Sequence, residues 1–354
     1  MRSKFLLLTV AVIFTAGTSS AELKKGTPEV KSISALAFGP HGVLFIGDPQ
    51  SGVIFAVETG DTKAAGKTDV NVEKLGDAVG SALGTTAENI AVTDVKVNPE
   101  SGNIFLSVTR GKGKEAMPVI VKLNRDGKFS EFPLKDVMHA SVKLPNPNTT
   151  DRGRPEAITS LAYVDGKVIV AGLSSEEFAS TLRAIAYPFQ TADKGTSVEV
   201  FHGAHGKLET NSPVRTFVPY KIGGADYLLA AYTCTPLVKF PVSDLKPGTK
   251  VKGTTIAELG NQNRPLDMIV YNKGGKDYVL MANSARGVMK ISTDTFADAQ
   301  PITTPVRSGT AGVKYETVEE LKGVMQLDKL DNERALVLIK GDDKALTLKS
   351  IPMP

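Results

Sequence analysis

An arginine stands close to a proline in three segments of this 354-residue chain, and two of the segments also carry an acidic residue. The segments are Arg154-Pro-Glu-Ala-Ile158, Ser212-Pro-Val-Arg-Thr216 and Arg264-Pro-Leu-Asp-Met268. Each proline precedes an apolar run, and its fixed φ and missing N–H suit the entrance of a β-strand. Guanidinium groups that meet at such entrances can clamp a carboxylate or a phosphate. The pattern predicts an anion-binding site; the alternative is that these arginines only tie loops to backbone carbonyls.

Two histidines flanked by glycines lie in the segment Phe201-His-Gly-Ala-His-Gly206. His202 and His205, together with Cys234 and a methionine such as Met268, supply the ligand types that copper uses. We therefore consider the two histidines as loop ligands for a metal. The alternative is an exposed loop whose histidines bind nothing.

Familiar catalytic motifs are missing from the sequence. There is no Gly-x-Ser-x-Gly, no His-Glu-x-x-His, no phosphate-binding loop and no Cys-x-x-Cys-His haem attachment. Cys234, the only cysteine, could be a nucleophile only if His205 or another base came within hydrogen-bond reach. The alternative is a half-buried structural cysteine. The sequence leaves open whether the protein is an enzyme.

The elements that must position these residues follow one repeated unit: an apolar strand, a Gly/Pro/Asp-rich turn, a second strand, a polar loop and a third strand. Alternating polarity and β-branched residues favour strands in each copy. The first strands of the six copies lie at 33–38, 92–97, 158–163, 216–220, 266–271 and 324–328. Recurrence of such a unit predicts an all-β propeller with six blades, or seven if one copy has diverged.

Two further elements are predicted around these copies. Apolar residues at helical spacing predict a short helical insertion within residues 69–91. Closure of the ring requires a partner for the last blade, and residues 29–33 are expected to pair with residues 346–351.

In a propeller, the loop entering a blade's innermost strand and the loop after its second strand open on the same face, around the mouth of the central channel. We expect the anion-binding side chains there. The predicted ligand-binding residues are Arg154, Arg215, Arg264, Arg286 and Asn283. The predicted partner is a small anionic ligand or another protein.

The N-terminus has the features of a secretory signal peptide. Two basic residues near the start, an apolar run over residues 5–14 and a small-residue stretch ending at Ala21 predict cleavage before Glu22. Residues 1–21 are therefore predicted to direct the protein to the periplasm or the medium. The apolar run is too short to span a bilayer, and no later stretch is long enough.

Composition limits the remaining function classes. Residues 22–354 are enough for one propeller domain, and a single cysteine allows no internal disulfide. The formal net charge is +4, with basic and acidic residues interspersed. Without a concentrated basic stripe, nucleic acid is not the expected partner.

The first copy carries a family resemblance. The stretch Leu36-Ala-Phe-Gly-Pro-His-Gly-Val-Leu-Phe-Ile-Gly-Asp48, followed by Ser51-Gly-Val-Ile-Phe55, resembles the repeat of the NHL and gluconolactonase-like propeller superfamily. Asn98-Pro-Glu-Ser-Gly-Asn-Ile-Phe-Leu106 is similar, and the other copies are looser matches. The resemblance implies the propeller architecture, which exported sensors, scaffold proteins, lactonases and subunits of redox complexes share.

The resemblance also implies a metal, because lactonase-like propellers carry a divalent cation near the channel. By position, the candidate ligands here are Asp48, Glu156 and Asp267, with Asn283. Such oxygen ligands would suit calcium; the alternative is ordinary aspartates in surface turns. Two functions are therefore expected. The first is a binding module that uses the channel mouth, and the alternative is a metal-dependent hydrolase or lactonase.

Overall fold

Six sheets form a six-bladed β-propeller, as the repeats predict. The structure is a computed structural model that describes residues 22–66 and 68–354. The predicted signal peptide, residues 1–21, lies outside the described residues. In the part of the chain that is described, no helix has the length and apolar character needed to cross a membrane.

The strands occur at the predicted copies and between them. In chain order the first fourteen are β1 (Lys24–Gly26), β2 (Ala35–Phe38), β3 (Val43–Asp48), β4 (Val53–Glu58), β5 (Asn71–Val72), β6 (Ile90–Val97), β7 (Ile104–Arg110), β8 (Met117–Leu123), β9 (Phe129–Phe132), β10 (Val137–Lys143), β11 (Ser160–Val164), β12 (Lys167–Leu173), β13 (Ser180–Ala186) and β14 (Thr196–His202). The others are β15 (Lys207–Glu209), β16 (Thr216–Ile222), β17 (Ala225–Ala231), β18 (Pro236–Pro241), β19 (Lys250–Lys252), β20 (Thr254–Glu258), β21 (Pro265–Lys273), β22 (Lys276–Asn283), β23 (Val288–Ser292), β24 (Ala311–Gly312), β25 (Glu316–Val318), β26 (Val324–Lys329), β27 (Arg334–Lys340) and β28 (Leu346–Pro352).

Each blade begins with an inner strand at the channel and continues outwards. Blade 1 is β2-β3-β4-β10-β1, blade 2 is β6-β7-β8-β9, and blade 3 is β11-β12-β13-β14-β15 with β19 beside β14. Blade 4 is β16-β17-β18-β20-β24, blade 5 is β21-β22-β23-β25, and blade 6 is β26-β27-β28-β5. Within each blade, the inner strand corresponds to the first strand of one predicted copy.

The order of the blades around the ring differs from their order in the chain. The inner strand of blade 1 contacts those of blades 2 and 3, and the inner strand of blade 6 contacts those of blades 5 and 2. The ring therefore reads 1-3-4-5-6-2. The chain builds blade 1, then blade 2 on one side, returns through β10 at the outer part of blade 1, and continues to blade 3 on the other side.

The prediction for ring closure is wrong. Strand β5, not residues 29–33, completes blade 6, where Val72 pairs with Leu348. The predicted segment instead crosses the end of blade 1, where Lys31 and Ser32 bond the carboxylate of Asp48. The two-residue strand β5 lies at the start of residues 69–91, the segment predicted to contain a helix, although Val70 and Val72 alternate there with polar residues.

The predicted helical insertion is present as one shorter helix, α1 (Leu75–Ala82). Leu75, Val79 and Leu83 are buried between blades 2 and 6. Their spacing of four residues places them on one face of the helix. Gly84 follows with φ 67°, a left-handed conformation that glycine adopts without steric cost and that ends the helix.

Candidate binding site at the channel mouth

The six inner strands enclose a channel with a cavity of about 740 Å³. Blades 1, 3 and 4 contribute a mostly apolar wall that includes Ala37, Phe38, Leu161, Tyr163, Phe217 and Val218. Blades 5, 6 and 2 contribute the charged side chains of Asp94, Lys96, Asp267 and Asp328. A cavity of this size and mixed character can enclose a small organic molecule.

Three aspartates at the channel join neighbouring blades. Each accepts the backbone N–H of the residue after it and a second N–H from the inner strand of the adjacent blade. The bonds between blades run from Leu327 N to Asp267 (3.0 Å), from Val97 N to Asp328 (2.7 Å) and from Leu36 N to Asp94 (2.7 Å). These carboxylates therefore hold blades 5, 6, 2 and 1 together.

Lys96 lies among these carboxylates. Its Nζ is 3.4 Å from Asp267 Oδ2 and 3.7 Å from Asp94 Oδ1. Burial lowers the pKa of Lys96, but the facing carboxylates outweigh burial and raise its pKa above the usual lysine value. Burial raises the pKa of Asp94 to about 6, and the negative charge of Asp267 adds to the rise against the opposing effect of Lys96. With its amide nitrogen facing the carboxylates, Gln326 donates to Asp94 and Asp267 at 3.1 Å each.

Two arginines of the predicted set lie at strand entrances near the channel mouth: Arg215 lines the cavity, and Arg264 is exposed directly before β21. Arg215 Nη1 lies 2.6 Å from Glu156 Oε1, and its Nε donates to Thr233 Oγ1 at 3.0 Å. Burial, followed by the like charge of Arg215, lowers the pKa of Arg264, while Glu156 acts in the opposite direction. Among the described residues, the Arg264 side chain makes no hydrogen bond or salt bridge. The sequence pattern therefore located one paired and one unpaired arginine.

The other predicted ligand-binding residues contact their own loops. Arg154 donates to the carbonyl of Thr149 at 2.7 Å, and Arg286 donates to the carbonyl of Asn261 at 3.1 Å. Asn283 is buried; it accepts a hydrogen bond from the Asn263 amide and donates one to the Met281 carbonyl. In these three positions the structure shows the loop-tying contacts of the alternative interpretation.

The three carboxylates considered for calcium each have different partners. Asp48 is fully buried and accepts from Lys31 N, Ser32 N, Ser32 Oγ and Ser51 N. Glu156 pairs with Arg215, and Asp267 bonds the inner strands and Lys96. Within residues 22–66 and 68–354, they form no group of three acidic side chains close enough to share one ion.

Unlike the three carboxylates, the two histidines considered as metal ligands do lie in a cluster of possible ligands. His202 and His205 lie together with Cys234, and the three side chains could reach one metal ion. Met268, the fourth ligand type considered, is part of the channel wall. The structure thus brings together three of the four residues in the copper hypothesis.

Sequence reasoning missed the charged side of the channel. Asp94, Lys96 and Asp328 were absent from the predicted site although each lies on an inner strand. The sequence does contain a signal for them: charged residues interrupt the apolar runs Val92-Thr-Asp-Val-Lys-Val97 and Met325-Gln-Leu-Asp-Lys329. A charge inside an inner strand points towards the channel, the one polar environment at the centre of the ring.

No protein-family model matches the chain, and neither does any curated protein sequence. Solved structures show a distant likeness. A Thermus thermophilus protein described as an oxidoreductase (glucose dehydrogenase) has 11% identity and a TM-score of 0.37, with 93% of this chain and 99% of that chain covered. The PQQ-bound aldose sugar dehydrogenase of Streptomyces coelicolor has 11% identity and a TM-score of 0.39, with 94% and 97% covered. A Bacteroides caccae protein of unknown function has 13% identity and a TM-score of 0.37, with 75% and 79% covered.

Proposed function

We propose that this propeller is an exported binding module that takes a small anionic ligand at the mouth of its central channel. The observation that carries the proposal is the exposed guanidinium of Arg264, which has no hydrogen-bond or salt-bridge partner among the described residues and lies near enough to Arg215 for the like charge to lower its pKa. Glu156 balances only one of the two positive charges. A carboxylate or phosphate between the guanidiniums would remove their repulsion and accept charge-assisted hydrogen bonds from both.

The cavity below supports a small molecule as the ligand. Its volume of about 740 Å³ lies within the range that encloses small organic ligands. The apolar wall can cover the body of such a ligand while its anionic group stays at the mouth. The channel carboxylates would disfavour an anion deeper in the ring, which orients the ligand with its charge outwards.

The alternative is a gluconolactonase-like hydrolase with a channel cation, in line with the NHL-type resemblance. That function needs carboxylate oxygens that are free to bind an ion. Asp48 and Asp267 instead accept several backbone N–H groups, and Glu156 is paired. The observed contacts therefore favour binding over metal-dependent hydrolysis.

A thermal-shift screen with phosphate, citrate and short aliphatic carboxylates tests the proposal. Arg264→Ala should weaken binding of the responding anion by about 1.5 to 3 kcal/mol, the range for a hydrogen bond to a charged group. That loss corresponds to roughly 10- to 150-fold in Kd. The melting temperature without ligand should change little, because the Arg264 side chain makes no hydrogen bond or salt bridge with any residue that the structure describes.

Arg286→Ala is the matched control, because Arg286 donates to the Asn261 carbonyl instead of facing Arg215. This variant should keep the wild-type affinity for the anion. The proposal fails if no anion stabilises the wild type. It also fails if Arg264→Ala melts much earlier yet keeps every ligand response.

A further inference from the structure

A cluster of metal-ligand side chains lies away from the channel cavity. One ring nitrogen each of His202 and His205 and the Sγ atom of Cys234 lie within 4.8 Å of one another. His202 is the last residue of β14 and His205 lies in the turn between β14 and β15 in blade 3, whereas the cysteine lies in the turn between β17 and β18 in blade 4. An ion with bonds of about 2.0 to 2.3 Å needs such donors roughly 3.3 to 4 Å apart, which small side-chain rotations supply.

A single carboxylate orients both imidazole rings. Glu209 Oε2 lies 2.9 Å from His202 Nδ1, and Glu209 Oε1 lies 2.6 Å from His205 Nδ1. Ser212 Oγ donates to the same carboxylate at 2.6 Å. Because each Nδ1 is engaged with Glu209, each Nε2 is the nitrogen left for an ion. A carboxylate behind a metal-binding histidine is the usual outer partner of such ligands.

The buried histidine is a second, independent observation that points to a ligand at this cluster. His202 is 2% exposed, and its Nε2 has no hydrogen-bond partner among the described residues. A buried polar atom left without a partner costs about 1 to 3 kcal/mol. A bound ion would supply the partner that the protein does not.

The thiol is held in place by an unusual backbone conformation. Cys234 has φ 63° and Thr235 has φ 56°, two consecutive left-handed residues that are not glycine. The N–H of Cys234 donates to the Asn263 carbonyl at 2.6 Å, and Thr235 Oγ1 donates to the Gly260 carbonyl at 2.7 Å. Such conformations are unfavourable and persist where surrounding bonds enforce them, often at functional sites.

We propose that His202, His205 and Cys234 bind one thiophilic transition-metal ion, Zn²⁺ or Cu⁺, with Glu209 as the positioning residue. A thiolate and two imidazoles suit these ions, whereas Ca²⁺ and Mg²⁺ prefer oxygen ligands. The His205 side chain is 45% exposed, so the ion is open to solvent on that side. This site uses none of the arginines assigned to the anion, so the two proposals can fail independently, although Cys234 follows Thr233, the hydrogen-bond partner of Arg215.

Metal binding to the full chain, after dialysis against a chelator, tests the site directly. Zn²⁺ and, under reducing anaerobic conditions, Cu⁺ are each titrated against a chromophoric chelator, with Ca²⁺ as the oxygen-preferring comparison. We expect one equivalent of Zn²⁺ or Cu⁺ and no competition by Ca²⁺. Co²⁺, used in place of Zn²⁺, should produce a thiolate-to-metal charge-transfer absorption.

The thiol supplies a second readout, because Cys234 is the only cysteine. Bound Zn²⁺ should slow its reaction with a thiol reagent at least about tenfold. Cys234→Ser should abolish the charge-transfer absorption, and Glu209→Gln should lower metal affinity by about 10- to 100-fold. His41→Asn is the control: His41 lies in another turn with φ 55°, which asparagine tolerates.

Comparison of the two ions decides which one the site prefers. The proposal is overturned if the wild type binds no stoichiometric Zn²⁺ or Cu⁺, or if metal leaves the thiol reaction unchanged. It is also overturned if His41→Asn loses as much affinity as Cys234→Ser. Should the cysteine variant fail to fold, protection of the wild-type thiol still decides the question.

Discussion

Replacement of Lys96 by methionine would leave the channel carboxylates without their counter-charge. The Lys96 Nζ lies 3.4 Å from Asp267 and 3.7 Å from Asp94, and the lysine side chain is 20% exposed. At an effective dielectric constant of about 20, each contact is worth about 4 to 5 kcal/mol before desolvation is subtracted. Methionine keeps the length and apolar stem of the side chain, so the substitution removes mainly the charge.

The expected net loss is smaller than the sum of the two contacts. Removing one partner of a buried ion pair usually destabilises a protein by about 3 to 5 kcal/mol. Because Lys96 is partly exposed, we expect a decrease of about 3 kcal/mol in the free energy of unfolding near neutral pH. The loss arises from carboxylates that remain buried next to one another.

The decrease in the free energy of unfolding caused by Lys96→Met should depend on pH. Burial raises the folded-state pKa of Asp94 to about 6, from an ordinary value of 3.8. Between these values the folded protein binds more protons than the unfolded chain, so stability falls as pH rises through this window. Without Lys96 the folded pKa rises further and the window extends upwards. At about pH 5 the carboxyl is largely protonated in both proteins, and the deficit of the variant should shrink.

Urea unfolding at about pH 5 and about pH 7.5 measures these differences. Lys276→Met is the matched control, because Lys276 lies 3.6 Å from Asp294 and the two side chains are 61% and 54% exposed. That surface pair should be worth only about 0 to 1 kcal/mol at either pH. If Lys96→Met matches the wild type near neutral pH, or loses more stability at the acidic pH, the electrostatic argument is incorrect.

Two other predictions concern the ends of the chain. Deletion of residues 345–354 should cause global loss of folding, because it removes β28 from blade 6 and leaves β5 without a partner. It also removes the Pro354 carbonyl, to which the Tyr271 hydroxyl donates. Circular dichroism on heating measures the effect, and a cooperative transition at the wild-type temperature would contradict the prediction. The mature protein should begin at or within a few residues of Glu22, and N-terminal sequencing of protein from the periplasm or medium checks this; an intact Met1 on soluble cytoplasmic protein would contradict it.

The strands were predictable because their signals are local. Alternation in segments such as 92–97 and 266–271, bounded by glycine and proline, is enough to assign strands and count blades. The order of the blades was not predictable, because it depends on which inner strands pack together. The strand β5 has two residues and lies within residues 69–91, which the spacing of apolar residues assigned to a helix, so the ring-closure prediction selected residues 29–33 instead.

The candidate sites were predictable only where a local sequence pattern marks a strand entrance. The proline-arginine pattern identified Arg264 and Arg215, since strand entrances share one face of a propeller. It could not show that Glu156 pairs with Arg215 or that Arg154 bonds its own loop, because those contacts depend on loop conformation. His202 and Cys234 lie far apart in sequence, and only the packing of blade 3 against blade 4 brings them together.

The interleaved order of the blades affects how the protein reaches its native state. Strand β5 lies between blades 1 and 2 in the chain, yet it pairs only with β28 at the opposite end of the sequence. Blade 1 likewise lacks its fourth strand until β10 is available, and β10 follows blade 2 in the chain. Pairings between distant segments slow folding, because the chain must lose the entropy of closing a large loop before the stabilising contacts form. An emerging chain therefore keeps blade 1 incomplete until β10 is available and keeps β5 unpaired until the last strand, β28, is available, and both remain open to wrong pairings until then.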